Sequence, residues 1–132
     1  MKFRYKKFGP VIRPVIPIEL RSLHRSIRYE VLVDSGADVC IFDAEIGELI
    51  GLDIKRGKER TVTGVAGQSA SYFLHNVEIE VGGHVYEIEA GFLPNVAGDN
   101  NYGIVGQQGF FDIFTVKFDF AKEEIEMKEH RS

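Results

Sequence analysis

Cysteine is nearly missing from this chain: its 132 residues carry one, Cys40, and tryptophan is absent altogether. A single thiol excludes an internal disulfide framework and suits a reducing compartment, so the expected location is cytoplasmic. Cys40 lies between Val39 and Ile41 and reads as a small apolar residue packed in the core. A nucleophilic thiol needs a thiolate-stabilising neighbour, which the local sequence does not offer. No apolar run approaches the length of a membrane span. The basic residues 1–8 lack a following apolar segment and a small-residue cleavage site, so neither a membrane contact nor a signal peptide is expected. The four histidines, His24, His75, His84 and His130, are scattered without metal-ligand spacing. No Ser-His-Asp order and no phosphate-binding glycine loop stands out. The chemistry expected of this chain therefore uses no cofactor and no metal.

Charge is short of one sign in each part of the chain. Residues 1–28 carry eight Lys/Arg and a single Glu, net +7, whereas residues 29–132 carry net −11. A basic segment can bind nucleic acid. No basic platform interleaved with aromatics accompanies it, so no nucleic-acid partner is expected. The arm is expected to lie against an acidic body, its own or a partner's. The length fits one domain, residues 1–132, with residues 1–14 as a basic arm or terminal strand.

What is present is mostly strand. Residues 11–20 are apolar and interrupted by Pro14 and Pro17, with Pro10 just before; the prolines exclude a helix and predict an edge strand or extended arm. A polar turn over 22–26 leads to a strand over 27–33, with Tyr29, Val31 and Val33 on one face and Glu30, Leu32 and Asp34 on the other. Residues 39–42 read as a short buried strand. Asp43 is placed to cap a short helix over 44–50 whose apolar face is Ile46, Leu49 and Ile50, with Gly51 at its end. Residues 61–73 read as a hairpin with the tip Gly64-Val65-Ala66-Gly67. Strands over 77–81 and 85–92 flank Gly82-Gly83. A loop over 93–102 precedes the buried strand Gly103-Ile104-Val105-Gly106, one or two helical turns over 107–114, and a terminal hairpin of 115–120 and 124–128. Alternating Glu78, Glu80, Glu87 and Glu89 mark a solvated face. Many short strands with regular turns predict an all-β fold, a closed or nearly closed β-barrel with short helices.

The residues that carry chemistry are Asp34-Ser35-Gly36-Ala37-Asp38, directly after the apolar run that ends at Val33. A carboxylate at the end of a buried strand is costly unless hydrogen bonds compensate, and chains tend to keep one for chemistry. The plain alternative is a type I turn or helix cap, since Asp, Ser and Gly all form turns. Three features then line up: the strand into Asp34-Ser35-Gly36-Ala37, the glycine-flanked hairpin tip, and Ile104-Val105-Gly106 before a short helix and a final strand. In this order residues 15–128 resemble the retropepsin-like aspartic proteases, especially small bacterial members with one catalytic loop per chain.

That resemblance implies an acid-protease fold, a homodimer, and hydrolysis of a peptide or protein substrate by two Asp34 carboxylates, one from each chain. It implies that the Ser35 hydroxyl bonds across the twofold axis, and that Gly36 lets the backbone approach the carboxylate and the substrate. Ala37 stands where pepsin-like members often carry a hydroxyl. Asp38 matches the acid that holds substrate backbone and pairs with arginine. In the hairpin, Val65 and Ala66 would cover the substrate, and Ile104 would line the pocket beside the scissile bond, though by itself Ile104 reads as core. Gln107-Gln108 depart from the viral pattern, which has Arg-Asn or Arg-Asp after the second glycine; Arg13 is the candidate replacement. Two other readings stay open: a retropepsin fold without catalysis that binds peptides or assembles, and an unrelated β-barrel in which Asp34 begins a turn.

Overall fold

Alternation of apolar and polar residues builds the first hairpin of the main sheet in the computed structural model, which describes residues 1–23, 25–64, 66–94 and 102–130. Strand β4 (Val15–Ser22) pairs antiparallel with β5 (Arg25–Val33), in register from Ser22 opposite Arg25 to Val15 opposite Leu32. Ile16, Ile18 and Leu20 of one strand and Tyr29, Val31 and Val33 of the other are buried. The turn is shorter than the polar segment suggests, because both strands run into it and Leu23 takes up the reversal with φ of 46°.

The edge-strand expectation for residues 11–20 needs correction. A short strand β3 (Val11–Arg13) pairs back on β2 (Lys6–Phe8), and β4 has no ladder on its second side over residues 15–18, the stretch where Pro17 lacks an N–H to offer. From Glu19 to Arg21, β4 also pairs with β8 (Ser69–Val81). The main sheet runs β4-β5-β10-β6-β9-β8-β7, with β6 (Ile41–Asp43), β7 (Lys58–Thr63), β9 (His84–Leu93) and β10 (Gly103–Val105). The extra β4–β8 ladder makes the hydrogen-bonded strands a circuit. β8 is one strand of 13 residues. Its first half forms the glycine-tipped hairpin with β7, and its second half pairs with β9 across Gly82-Gly83.

Side chains from the inner face of this sheet make the core, with Tyr29, Phe42 and Phe92 in successive edge-on ring contacts. Each such fully buried ring contributes about 1.5–3 kcal/mol of transfer free energy. Helix α1 (Ala44–Leu49) starts where Asp43 accepts the Glu45 N–H at 2.9 Å. Its buried positions are Ala44 and Gly47, followed by the C-cap Ile50; Leu49 is exposed, contrary to the sequence expectation. The spacing of three brings Gly47 against the Phe92 ring and turns Leu49 outward. Residues 107–113 form a chain of turns rather than a regular helix, and the expectation there is met by a single helical turn, with the Phe114 N–H donating to the Phe110 carbonyl at 2.9 Å. Gly109 has φ of +99°, which a right-handed helix cannot hold, and its N–H is bound by Asp112 at 3.1 Å.

A second, three-stranded sheet joins the ends of the chain: β1 (Lys2–Arg4), β12 (Glu124–Glu129) and β11 (Phe114–Asp119), with β12 in the middle. Lys2 and Arg4 stand opposite Glu126 and Glu124, and Lys6 pairs with Glu30, so the basic arm lies against its own acidic body. The loop expected over 93–102 falls largely outside the described residues. Among the described residues no helix is long and apolar enough to cross a membrane.

Candidate active site

Strand β5 delivers Asp34 at its end, and β10 lies parallel beside it, Ile104 opposite Leu32 and Val105 opposite Val33. The Asp34 N–H donates to the Val105 carbonyl at 3.0 Å, which ties the start of the loop to β10. The chain then turns sharply. Gly36 N–H donates to Asp34 Oδ1 at 2.9 Å, and Ala37 N–H donates to the Asp34 carbonyl at 3.2 Å. The motif is thus a turn that itself fixes the carboxylate and leaves Oδ2 outside that bond. Asp34 and Ala37 are half-buried, while Ser35, Gly36 and Asp38 are exposed.

The far side of the loop is stitched to the segment after β10. Gln107 N–H donates to the Ala37 carbonyl at 2.8 Å, and Gln108 N–H to the Asp38 carbonyl at 3.0 Å. The Gln107 side chain adds a third bond, its Nε2 donating to the Ser35 carbonyl at 2.7 Å. Gly106 permits this approach. A Cβ there would lie 2.5 Å from the Ala37 carbonyl oxygen and 2.6 Å from that of Val39, closer than real Cβ contacts come. Cys40 completes the seam, its Sγ accepting the Gly106 N–H at 3.5 Å and facing the Gln108 carbonyl at 3.4 Å. Burial pushes the Cys40 thiol up to about 11; the Gly106 N–H works against that shift and the Asp112 carboxylate adds to it. This is an inert, packed thiol.

Strand parity places Leu32, Ile104 and Ile41 on the face that leads to Asp34, since Ile104 stands opposite both of the others. Ile104 is half-buried rather than a core residue. Tyr72 continues this face: its ring sits over Gly91, next to Ile41.

The hairpin of β7 and β8 closes on itself at the tip, where Gly64 N–H donates to Gln68 O at 2.7 Å and Gly67 N–H to Gly64 O at 3.0 Å. Ala66 is exposed there, and Val65 lies outside the described residues. Every residue of β7 is exposed. Arg13 donates to Tyr102 Oη at 3.4 Å, and its guanidinium lies 5.0 Å from the centre of the Phe8 ring. Sequence reading treated Gln107 only as a departure from an arginine pattern and missed its bond to the loop. The signal was its place directly after Gly106, where any side chain starts beside the Asp34 loop.

The site thus consists of a strand ending in an Asp-Ser-Gly turn, braced by a parallel strand that leads into Gly106. The aspartyl protease family model matches residues 23–108, about two-thirds of the chain. The chain belongs to the aspartyl protease family. Among solved structures it is similar to EIAV protease complexed with the inhibitor HBY-793, at a TM-score of 0.51 and 18% identity over 77% of this chain and 88% of that one. The fold is retropepsin-like, mostly strands with few helices. No curated protein matches the chain.

Proposed function

We propose that this protein is an aspartic endopeptidase that works as a homodimer, with one Asp34 from each chain. The observation that carries the reading is the Asp34 turn: one carboxylate oxygen is held by Gly36 N–H, and the loop is braced by three bonds from Gln107 and Gln108. Hydrolysis without a covalent intermediate needs a base to take a proton from water and an acid to give one to the carbonyl oxygen. Two carboxylates about 3 Å apart cannot both ionise, so the pair shares a proton and supplies both functions. One loop per chain cannot do this alone, and an isologous dimer brings the second.

In that dimer the Ser35 hydroxyl bonds across the axis, and Gly36 and Ala37 let substrate backbone come close. Asp38, exposed at the rim, accepts hydrogen bonds from substrate N–H groups. Val65 and Ala66 close over the peptide, and Ile104 with Leu32 and Ile41 forms the apolar wall beside the scissile bond. The reaction needs no resident cofactor. A peptide-library digest with wild type and Asp34→Asn side by side tests the proposal. Cleavage by the wild type should fall by at least about 10²-fold to 10⁴-fold in the variant, the range of a lost general acid–base group. Equal cleavage by both would assign the activity to another site.

A further inference from the structure

The two faces of strand β7 differ in charge. Lys58 stands opposite Leu74 and Arg60 opposite Tyr72, whereas Glu59 stands opposite Phe73. Residues directly opposite in a ladder share a face, and neighbours along a strand alternate. Tyr72 lies over Gly91 beside Ile41, on the face that carries Ile104 and Leu32 toward Asp34. Phe73 belongs to the other face and packs against the core. The face of β7 that continues the Asp34 wall therefore carries both cations of the strand, and its one carboxylate is on the reverse.

Lys58 and Arg60 are exposed, and among the described residues neither makes a hydrogen bond or an ion pair. Other cations of the chain do find acids: Lys6 pairs with Glu30, Arg21 with Glu80 and Arg56 with Asp53. On the cleft face the acid next in line is Glu89, two strands from β7 and one row beyond Leu74. The Tyr72 hydroxyl is a further donor without a protein acceptor among the described residues. Strand β7 is the outer strand of its sheet, and charge on an outer strand resists unwanted pairing. That role is served by either sign on either face, so it does not account for the sorting.

We infer that the peptide taken by the site proposed above is acidic, with Arg60 and Lys58 holding carboxylate side chains away from the scissile bond. Arg60 stands four residues from Gly64 at the hairpin tip, roughly 13 Å along the strand. An acidic side chain close to the scissile bond would meet the charge of the Asp34 pair, whereas one beneath β7 meets only cations on that strand face. Closure of the hairpin removes water from these contacts and strengthens them. With one hairpin from each chain, the preference falls on both sides of the scissile bond.

A peptide cleaved by the wild type is remade with Glu, Gln or Lys, one position at a time. At one or more positions on each side, kcat/KM should be at least about tenfold higher with Glu than with Lys, and the ratio should shrink in high salt. The double variant Lys58→Glu/Arg60→Glu should reverse the preference. Faster cleavage of a Lys peptide is a gain that a misfolded protein cannot show. Glu59→Lys, on the reverse face, should keep the wild-type ratio. Equal cleavage of Glu and Lys peptides by the wild type, or a ratio unmoved by the double variant, overturns the inference and leaves the endopeptidase reading standing. Capture of the peptide library on immobilised Asp34→Asn protein reads the preference without cleavage, and Asp and Glu should be enriched. Such enrichment with a wild type that cleaves nothing would sink the endopeptidase reading and keep the acidic-peptide inference; capture indifferent to charge would sink the inference.

Discussion

The loop over 34–38 and the hairpin of β7 and β8 face the same task in opposite ways. The loop is tied down by backbone bonds to Val105, Gln107 and Gln108, a side-chain bond from Gln107, and the packed thiol of Cys40. The hairpin has β7 exposed from end to end, and its tip bonds only to itself among the described contacts. In the proposed endopeptidase, chemistry at a carboxylate would need position held to fractions of an ångström, which the braced loop offers. Admission and closure over a peptide would need motion, which the exposed hairpin permits.

The largest effect should come from Gly106→Ala. Its methyl would displace the carbonyls of Ala37 and Val39, and these belong to backbone that cannot swing aside. A loss of about 2–4 kcal/mol in unfolding free energy is expected, together with loss of peptide cleavage, as for other steric insertions into packed backbone. Denaturant unfolding checks it; a variant as stable as wild type would mean that the seam is loose.

Next comes alkaline pH. The Cys40 thiol is raised by burial from its ordinary 9.0 to about 11, so the folded state keeps this proton longer than the unfolded chain does. The stabilisation is complete below pH 9 and is lost as pH rises through 11, amounting to about 2–3 kcal/mol. Tyr29, raised by burial to about 12, adds to the fall at the upper end. In Cys40→Ala the fall should begin near pH 10, where Tyr29 starts to contribute, rather than near pH 9, and should be shallower up to pH 11; an unchanged profile would remove Cys40 from the account.

Gln107→Ala should be smaller. It removes the bond to the Ser35 carbonyl at an exposed site, worth about 0.5–1.5 kcal/mol. If Gln107 positions the loop, kcat falls while KM and the fold are kept, and Gln107→Glu, which lacks the donor, behaves like the alanine variant. A change in KM alone would place Gln107 at the substrate instead.

Smallest of all, Thr61→Ala in β7 should change stability by less than about 0.5 kcal/mol, as for other exposed positions. Hydrogen exchange should nonetheless show the 58–73 amides slowing when a peptide-like inhibitor binds, while Gln107 and Gln108 are already slow without it. Equal protection of the two regions in the free protein would erase the contrast between them.

The legible parts of this molecule were those written in local pattern. Alternation gave β5, the glycine pair gave the β8–β9 turn, and Asp43 gave the start of α1. The Asp34 turn was readable because its residues bond to one another. What escaped depends on distant partners. The second ladder of β4 is made with β8, far along the chain. The positive φ of Gly109, which interrupts the helix expected over 107–114, accompanies its bond to Asp112 and its seat against Cys40 and Glu89. The place of β12 between β1 and β11 likewise joins the two ends of the chain, which no local pattern announces.

The central claim is that one site is built from two chains, and a mixing experiment tests it most directly. Wild-type enzyme at fixed concentration, well above its dimer dissociation constant, is mixed with increasing Asp34→Asn protein and allowed to exchange subunits. A shared site predicts that the inactive chain poisons the active one: an equal amount should cut peptide cleavage to about half, and larger excesses should cut it further in proportion. Cleavage that stays unchanged at every excess of Asp34→Asn would contradict a site built from two copies of Asp34.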